Sequence, residues 1–142
     1  MLGIGTFQAV AAPPTVLAPV AVKGRLRAPR EVVAGTTLAY DVVLTNPARH
    51  AIAEACPAYA EALVSGGHRY KVIDTYRLNC GPRLRLGPRA SRTFAMRLAT
   101  HVAVGSFRVR LTWSFWAPSG PLTLEPRSGL EAVITVQGRR AA

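Results

Sequence analysis

The sequence predicts an all-β fold, an antiparallel two-sheet immunoglobulin-like sandwich of about seven strands. Three observations predict it. Apolar and polar residues alternate with a period of two over most of the chain. Glycine and proline, with 12 and 11 occurrences in 142 residues, separate the alternating stretches. No long stretch repeats with the period of an amphipathic helix. Short strands with one apolar face are typical of two sheets that bury those faces against each other.

A length of 142 residues corresponds to one domain, which the sequence divides into three parts. Residues 1–19 form an uncharged, apolar, proline-rich segment, residues 20–137 form the sandwich, and residues 138–142 are a tail expected to fray. The first part contains A-V-A at positions 9–11, as at signal-peptide cleavage sites, without a basic stretch before it. Two interpretations remain open, the end of a longer signal or anchor followed by a stalk, or an ordinary irregular terminus.

The first two strands have clear ends. Residues 20–27 alternate apolar and basic side chains, and Pro29 follows. Residues 38–45 alternate again, until Asn46 and Pro47 interrupt the pattern. Proline has no amide hydrogen to donate, so both strands are expected to end at these positions.

The middle of the chain is harder to assign. Residues 51–63 are rich in alanine and glutamate, which favour a helix, but Pro57 argues against a continuous one. We expect a short strand up to Cys56 and an irregular or strand-like piece around residues 59–64. Shorter alternating stretches follow around residues 70–80 and 84–86.

The clearest strands lie in the last third of the chain. Residues 93–98 alternate regularly, and residues 107–116 place five apolar side chains on one face, which predicts a central strand. A last strand is predicted over residues 130–137. The expected inward residues of these strands are Phe94, Met96, Leu98, Phe107, Val109, Leu111, Trp113, Phe115, Leu130, Ala132, Ile134 and Val136.

Cys56 and Cys80 are the two cysteines, and each lies beside a turn-forming residue. A disulfide between them would close a loop of about 25 residues and stabilise the fold by about 3 kcal/mol. Such a bond favours an oxidising compartment, so we expect an extracytoplasmic or secreted protein. The alternative is two buried free thiols in a cytosolic protein. A metal site is disfavoured because no second cysteine pair is present.

Six short sequences between residues 44 and 113 form a recognisable pattern. They are L-T-N-P at 44–47, C-P-A-Y at 56–59, Y-R-L-N-C at 76–80, G-P-R-A-S at 87–91, F-A-M-R-L at 94–98 and L-T-W at 111–113. Over about residues 20–116 the chain thereby resembles uncharacterised exported β-sandwich domains of high-GC bacteria. In architecture it is also similar to the bacterial intracellular proteinase inhibitor type of sandwich. That second resemblance implies a sandwich that binds a partner, and it assigns no reactive-site residue here.

Residues suited to catalysis are sparse. His50, His68 and His101 lie in predicted turns and outside any metal-binding motif, and the seven acids are mostly isolated in the sequence. No serine lies in the G-x-S-x-G arrangement of a nucleophile. We therefore predict a protein that is not an enzyme, with no cofactor and no metal site.

Positive charge is the most unusual property of the composition. The formal net charge is +11, and 16 of the 18 basic residues are arginine. Arginine suits phosphate or carboxylate recognition, although the codon bias of a high-GC genome would produce the same excess. Six arginines occupy outward strand positions, and some of them are expected to form a basic stripe on one sheet face: Arg77, Arg83, Arg85, Arg97, Arg108 and Arg110.

Five residues are predicted to contact a partner: Trp116, Arg108, Arg110, Arg97 and Arg85. Trp116 is at an outward strand position before a turn, and tryptophan is enriched at binding hot spots. The alternative is that it packs under the following loop.

We predict a non-catalytic extracytoplasmic interaction module that binds a protein or an anionic cell-envelope component, with membrane anchoring through residues 1–19 as a further expectation. The alternative is a basic domain that binds nucleic acid or another polyanion. The sequence has no aromatic RNA-binding motif and no basic helix, so nucleic acid is the less favoured partner.

Overall fold

The computed structural model describes residues 20–116 and 122–140, and eleven β-strands make up most of this part of the chain. A 3₁₀ turn at Gly66–His68 connects the fifth strand to the sixth. The strands are β1 (Val20–Arg27), β2 (Glu31–Val33), β3 (Thr37–Thr45), β4 (Ile52–Ala55), β5 (Ala58–Ser65), β6 (Lys71–Arg77), β7 (Arg83–Leu86), β8 (Ser91–Ala99), β9 (Ser106–Trp116), β10 (Leu122–Glu125) and β11 (Leu130–Gln137).

The strands form three sheets. Sheet A has the order β10-β1-β3-β8, sheet B has the order β2-β11-β9-β5-β6, and sheet C pairs β4 with β7. The apolar faces of sheets A and B enclose the core, so the predicted all-β sandwich is confirmed. Most neighbours are antiparallel, but β1 pairs with β10 and β2 pairs with β11 in parallel.

The strand count exceeds the expected seven because four strands are very short. The strands β2, β4, β7 and β10 contain three or four residues each, too few for a period of two to be distinguished from a turn. The piece expected to be irregular around residues 59–64 is instead the regular strand β5, with strict alternation of burial. Because β5 pairs with both β6 and β9, sheet formation overrides the helix preference of its alanines.

The core contains the inward residues of both large sheets. Trp113 on β9 is 0% exposed, and its ring stacks on Tyr59 of β5 with 5.6 Å between centroids. The predicted inward positions Phe115, Leu111 and Val109 on the same strand are buried as well. The long alternating strand β9 therefore lies inside sheet B, between β11 and β5.

Strand β3 ends as predicted at the Asn46-Pro47 sequence, and Asn46 has a further structural role. Its side chain is 0% exposed, and Nδ2 donates to the carbonyls of His50 at 2.8 Å and Gly87 at 3.0 Å. Oδ1 accepts from the Ala48 amide at 2.9 Å. One amide side chain thereby joins the segment that precedes β4 to the segment that follows β7, at one end of sheet C.

The disulfide between Cys56 and Cys80 is present, as predicted, with the two Cα atoms 6.0 Å apart. Cys56 lies just before β5, and Cys80 lies three residues after β6 ends at Arg77. Between the two cysteines the Leu78 amide donates to the Pro57 carbonyl at 2.9 Å. This hydrogen bond extends the pairing of β5 with β6 toward sheet C.

The C-terminal tail, where it is described, differs from its expectation, and the N-terminal segment is not described. The expected apolar segment 1–19 lies outside the described residues. The tail that was expected to fray begins with ordered pairing, because the Gly138 amide donates to Gly105 and the Arg139 amide donates to Ala103, each at 2.8 Å. A Cβ at Gly138 would collide with the carbonyl oxygens of both of these residues, so only glycine fits there.

Candidate functional site

The arginines expected to form one basic stripe are distributed over three sheets. Arg108 and Arg110 lie on the outer face of sheet B, Arg97 lies on β8 of sheet A, and Arg85 lies on β7 of sheet C. The six arginines do not all lie on one face, because neighbouring stretches of the sequence do not pair in sequence order. Some of them do, since Arg77, Arg108 and Arg110 share the outer face of sheet B. Two pairs stay together at a spacing of two positions, Arg108 and Arg110 on β9 and Arg83 and Arg85 on β7.

Arg108 and Arg110 border two adjoining concavities of about 380 and 610 Å³ around the turn between β5 and β6. The concavities share Ser65, Gly66, Gly67 and Arg108, and we call the combined surface the glycine-turn cleft. Its other lining residues include Val64, Arg69, Val104, Ser106, Arg110 and Val133.

The turn leaves its backbone open to a partner. Ser65 anchors it, because its backbone amide donates to the Tyr70 carbonyl and its Oγ accepts from the Tyr70 amide, each at 3.0 Å. Gly67 has a φ of 81°, which favours glycine. A side chain at Gly66 or Gly67 would meet nothing within 4 Å, so both face open space. A ligand group can therefore approach the main chain closely at this point.

Positive charge concentrates around the cleft. Lys71 is in register with Val64, and Val64 is in register with Arg110, so two strand spacings of about 5 Å separate the Lys71 and Arg110 backbones. On another side the Arg139 carbonyl accepts from the Gly105 amide, next to Val104. The basic residues in or beside the cleft are Arg69, Lys71, Arg108, Arg110 and Arg139.

Acidic residues offset little of this charge. Glu131 approaches Arg110 to 3.9 Å, with the two side chains 58% and 63% exposed, and no other pair in residues 20–116 and 122–140 meets a 4.0 Å limit. An exposed pair of this kind contributes about 0–1 kcal/mol. Glu31, farther across sheet B, accepts from Gln137 at 2.8 Å.

Two exposed valines give the cleft an apolar part. Val104 is 64% exposed and Val133 is 65% exposed, although valine is usually buried. Arginine beside exposed apolar surface is typical of protein interfaces. The cleft therefore combines a cationic rim, an open backbone turn and an apolar wall.

Trp116 lies far from this cleft. It ends β9, six positions from Arg110 and eight from Arg108, which corresponds to about 20 and about 27 Å along an extended strand. Its side chain lies outside the described residues, so its predicted partner contact stays a prediction.

A second basic surface lies on the outer face of sheet A. Lys23, Arg25 and Arg27 alternate along β1 and border a shallow concavity of about 440 Å³. Asp41 is the cross-strand neighbour of Arg27, and Glu125 is the neighbour of Lys23. This surface therefore has an acid beside two of its three cations.

A buried carboxyl group was missed by the sequence analysis. Glu61 on β5 is 0% exposed, and its Oε2 accepts a hydrogen bond of 2.7 Å from the Tyr40 hydroxyl of sheet A. Its Oε1 and the Nε1 of its cross-strand neighbour Trp113 have no hydrogen-bond partner within the described part of the chain. A period of two through Tyr59, Glu61 and Leu63 was the available signal, but the alanine-rich composition obscured it.

Burial is the main cause that raises the pKa of the Glu61 carboxyl from 4.5 to about 7. The hydrogen bond from Tyr40 lowers this pKa, and the charge of Asp74 on β6 raises it further. Burial also raises the pKa of Tyr59 to about 12, with Glu61 adding to the effect. The pKa of Tyr40 is raised as well, first by burial and then by its bond to Glu61. Glu61 is thus a core carboxyl whose charged form is unfavourable.

In residues 20–116 and 122–140, no group of three or more His, Cys, Asp or Glu side chains is arranged to hold a metal ion. Over the same residues, no helix has the length and apolar character needed to cross a membrane.

Comparisons with known sequences found no match. No protein-family model matches this chain, and no curated protein does so either.

Solved structures do show similarity. The chain is similar to an alkylpurine DNA glycosylase, AlkC of Pseudomonas fluorescens bound to DNA with an abasic site analog, at 13% identity and a TM-score of 0.51, over 82% of this chain and 30% of that one. It is similar to a β-glucosidase of Listeria innocua in complex with isofagomine, at 12% identity and a TM-score of 0.51, over 84% of this chain and 16% of that one. A CARDB domain of Pyrococcus furiosus matches at 13% identity and a TM-score of 0.46, over 86% of this chain and 97% of that one.

At these identities the glycosylase and the glucosidase share only the β-sandwich fold with this chain. The chain spans less than a third of each of those two proteins. Their activities belong to the larger proteins.

Proposed function

We propose that this domain is a non-catalytic, extracytoplasmic interaction module that binds an anionic protein or cell-envelope component through the glycine-turn cleft. The observation that carries the proposal is the convergence of Arg108, Arg110 and Arg69 on one open glycine turn. Guanidinium groups bind carboxylates and phosphates in a bidentate manner.

The charge distribution supports a cationic role for this surface. The cleft and its border hold five basic residues, and the ion pair that the described residues form there, Arg110 with Glu131, involves exposed side chains. An attraction of this kind speeds association with anionic partners and weakens as salt screens it. The exposed valines Val104 and Val133 supply apolar contact that a purely electrostatic surface lacks.

The disulfide supports the extracytoplasmic part of the proposal. Cys56 and Cys80 are joined, and such bonds persist in oxidising compartments. A disulfide-stabilised β-sandwich at the cell envelope would meet anionic lipids, polymers and acidic protein surfaces.

A charge-matched pair of variants tests the cleft. Arg69→Gln/Arg108→Gln/Arg110→Gln removes three charges from the cleft, and Lys23→Gln/Arg25→Gln/Arg27→Gln removes three from sheet A. Poly-glutamate, vesicles containing phosphatidylglycerol and single-stranded DNA serve as probes at 50 and 200 mM salt. We expect the cleft variant to lose at least about tenfold in affinity for poly-glutamate or the vesicles, and the sheet A variant less than about threefold.

Equal losses in both variants would show that net charge alone drives binding and would refute the cleft as the site. Tighter binding of DNA than of poly-glutamate and vesicles would favour the alternative, a nucleic-acid-binding domain. Both variants change exposed side chains, so their thermal unfolding should match that of the unchanged chain.

A further inference from the structure

The outer edge of sheet A is a long strand with an unpaired side. Strand β8 runs for nine residues, from Ser91 to Ala99, and within the described residues it pairs with β3 alone. Its pairing with β3 is continuous and contains no bulge. An exposed regular edge of this length is a template for a further strand.

The alternation of backbone bonds shows which amides of β8 point outward. Just beyond the two ends of the strand, the Asn46 amide donates to Ala90 and the Thr100 amide donates to Thr36. These positions continue the β3–β8 register, so the even-numbered residues of β8 exchange hydrogen bonds with β3. The amides and carbonyls of Thr93, Ala95 and Arg97 therefore face away from the sheet.

A cavity of about 270 Å³ adjoins this edge. Five consecutive β8 residues line it, from Arg92 to Met96, together with Tyr59, Arg77 and Asn79. Side chains at consecutive positions point to opposite faces of a strand. A cavity that touches all five must therefore border the backbone edge itself.

The charge around this edge is positive. Strand β8 contains two arginines and no acid, and the cavity is bordered by Arg92 and Arg77 without an acidic side chain. The Arg92 guanidinium lies 4.8 Å from the centre of the Phe94 ring, which holds it at the edge of the cavity. A second copy of this chain is a poor occupant, because each copy has a net charge of +11.

We infer that β8 binds an extended acidic segment of a partner protein, which adds to sheet A as a further strand. The partner's backbone pairs with Thr93, Ala95 and Arg97, its acidic side chains approach Arg97 on the outer face, and its side chains on the other face lie beside the cavity. Main-chain hydrogen bonds provide affinity in this mode of recognition, and the cavity provides side-chain selectivity. This site is separate from the glycine-turn cleft.

Amide hydrogen exchange measured by NMR tests the inference on the full chain. The probe is an eight-residue peptide of alternating glutamate and valine, and the matched control replaces each glutamate with lysine. In the free protein we expect even-numbered β8 amides to be protected and those of Thr93, Ala95 and Arg97 to exchange. On addition of the acidic peptide, these three should become protected at least about tenfold, whereas the lysine peptide should have no effect.

A proline pair supplies the second measurement. Ala95→Pro removes an outward amide of β8 without removing a bond to β3, and we expect at least about a tenfold loss in affinity. Thr75→Pro removes an outward amide from β6, the edge strand of sheet B, and should leave affinity unchanged. Should Ala95→Pro fail to fold, the exchange pattern of the unchanged chain still decides.

Three results would overturn the inference. They are absence of peptide binding, binding without protection of the three outward amides, and protection caused by self-association without peptide. The Arg69→Gln/Arg108→Gln/Arg110→Gln variant should still bind the peptide at β8. Peptide binding by this variant would show that the β8 site does not depend on the cleft, so the two proposals can fail independently.

Discussion

Glu61 makes the stability of this domain depend on pH. In the folded chain burial raises the pKa of its carboxyl to about 7, compared with an ordinary value of 4.5. The folded state therefore holds a proton that the unfolded state releases between these values. The contribution of the protonated Glu61 to stability is therefore fully present below pH 4.5 and is lost as the pH rises toward 7. The difference corresponds to about 3 kcal/mol in the free energy of unfolding.

The variant Glu61→Gln isolates this effect. Glutamine has nearly the same size, its oxygen still accepts from the Tyr40 hydroxyl, and it does not ionise. We expect it to match the unchanged chain near pH 4.5 and to exceed it by about 3 kcal/mol at pH 8. Urea unfolding, followed by tryptophan fluorescence between pH 4.5 and 8.5, measures the free energy of unfolding of both proteins. Histidines and the other carboxyls titrate in both proteins, so the difference between the curves reports Glu61.

Glu131→Gln is the matched control, because Glu131 is 58% exposed and should leave the pH dependence unchanged. The titratable groups around Glu61 are Tyr40 on β3, Tyr59 on its own strand β5 and Asp74 on β6. Parallel pH curves for the unchanged chain and Glu61→Gln would refute the reasoning. They would mean that the buried carboxyl titrates equally in the folded and unfolded states.

Three further predictions concern stability, each measured by urea unfolding. Replacing both Cys56 and Cys80 with alanine should lower the free energy of unfolding by about 3 kcal/mol, and an equal value for the unchanged chain with and without reductant would contradict this. Asn46→Ala should cost about 2–4 kcal/mol because buried hydrogen bonds are lost, whereas Asn79→Ala, at an exposed position, should cost under about 0.5 kcal/mol. Gly138→Ala should lower the free energy of unfolding by about 1–3 kcal/mol, because the new methyl group collides with two carbonyls. The control Gly66→Ala faces open space and should leave the free energy of unfolding unchanged. Equal effects of the two variants would show that the tail is unpaired.

The sequence was informative wherever apolar residues alternate with polar ones along a strand. The strands β1, β3, β8, β9 and β11 were all recognised, because a half-buried strand must alternate. Strand β5 was obscured because its outward positions are occupied by Ala58, Ala60 and Ala62. Alanine favours helices, and only pairing on both sides makes this stretch a strand.

The candidate site depends on contacts that local patterns do not contain. Arg108 and Arg110 were recognised as outward residues, but their meeting with the Gly66-Gly67 turn depends on the pairing of β5 with β9. Glu61 and Tyr40 are 21 positions apart and lie on different sheets. Their hydrogen bond depends on how the sheets face each other, which a period of two does not specify.

The position of the first and last strands inside the sheets has a consequence for how the chain folds. Strand β1 lies between β10 and β3, and β11 lies between β2 and β9, so each sheet joins segments from opposite ends of the sequence. The strand pairing of sheet A cannot be completed before residue 125 has been synthesised, and that of sheet B cannot be completed before residue 137. Folds dominated by such distant pairings form over milliseconds to seconds. The strands synthesised first therefore remain without part of their sheets until the last strands have been made.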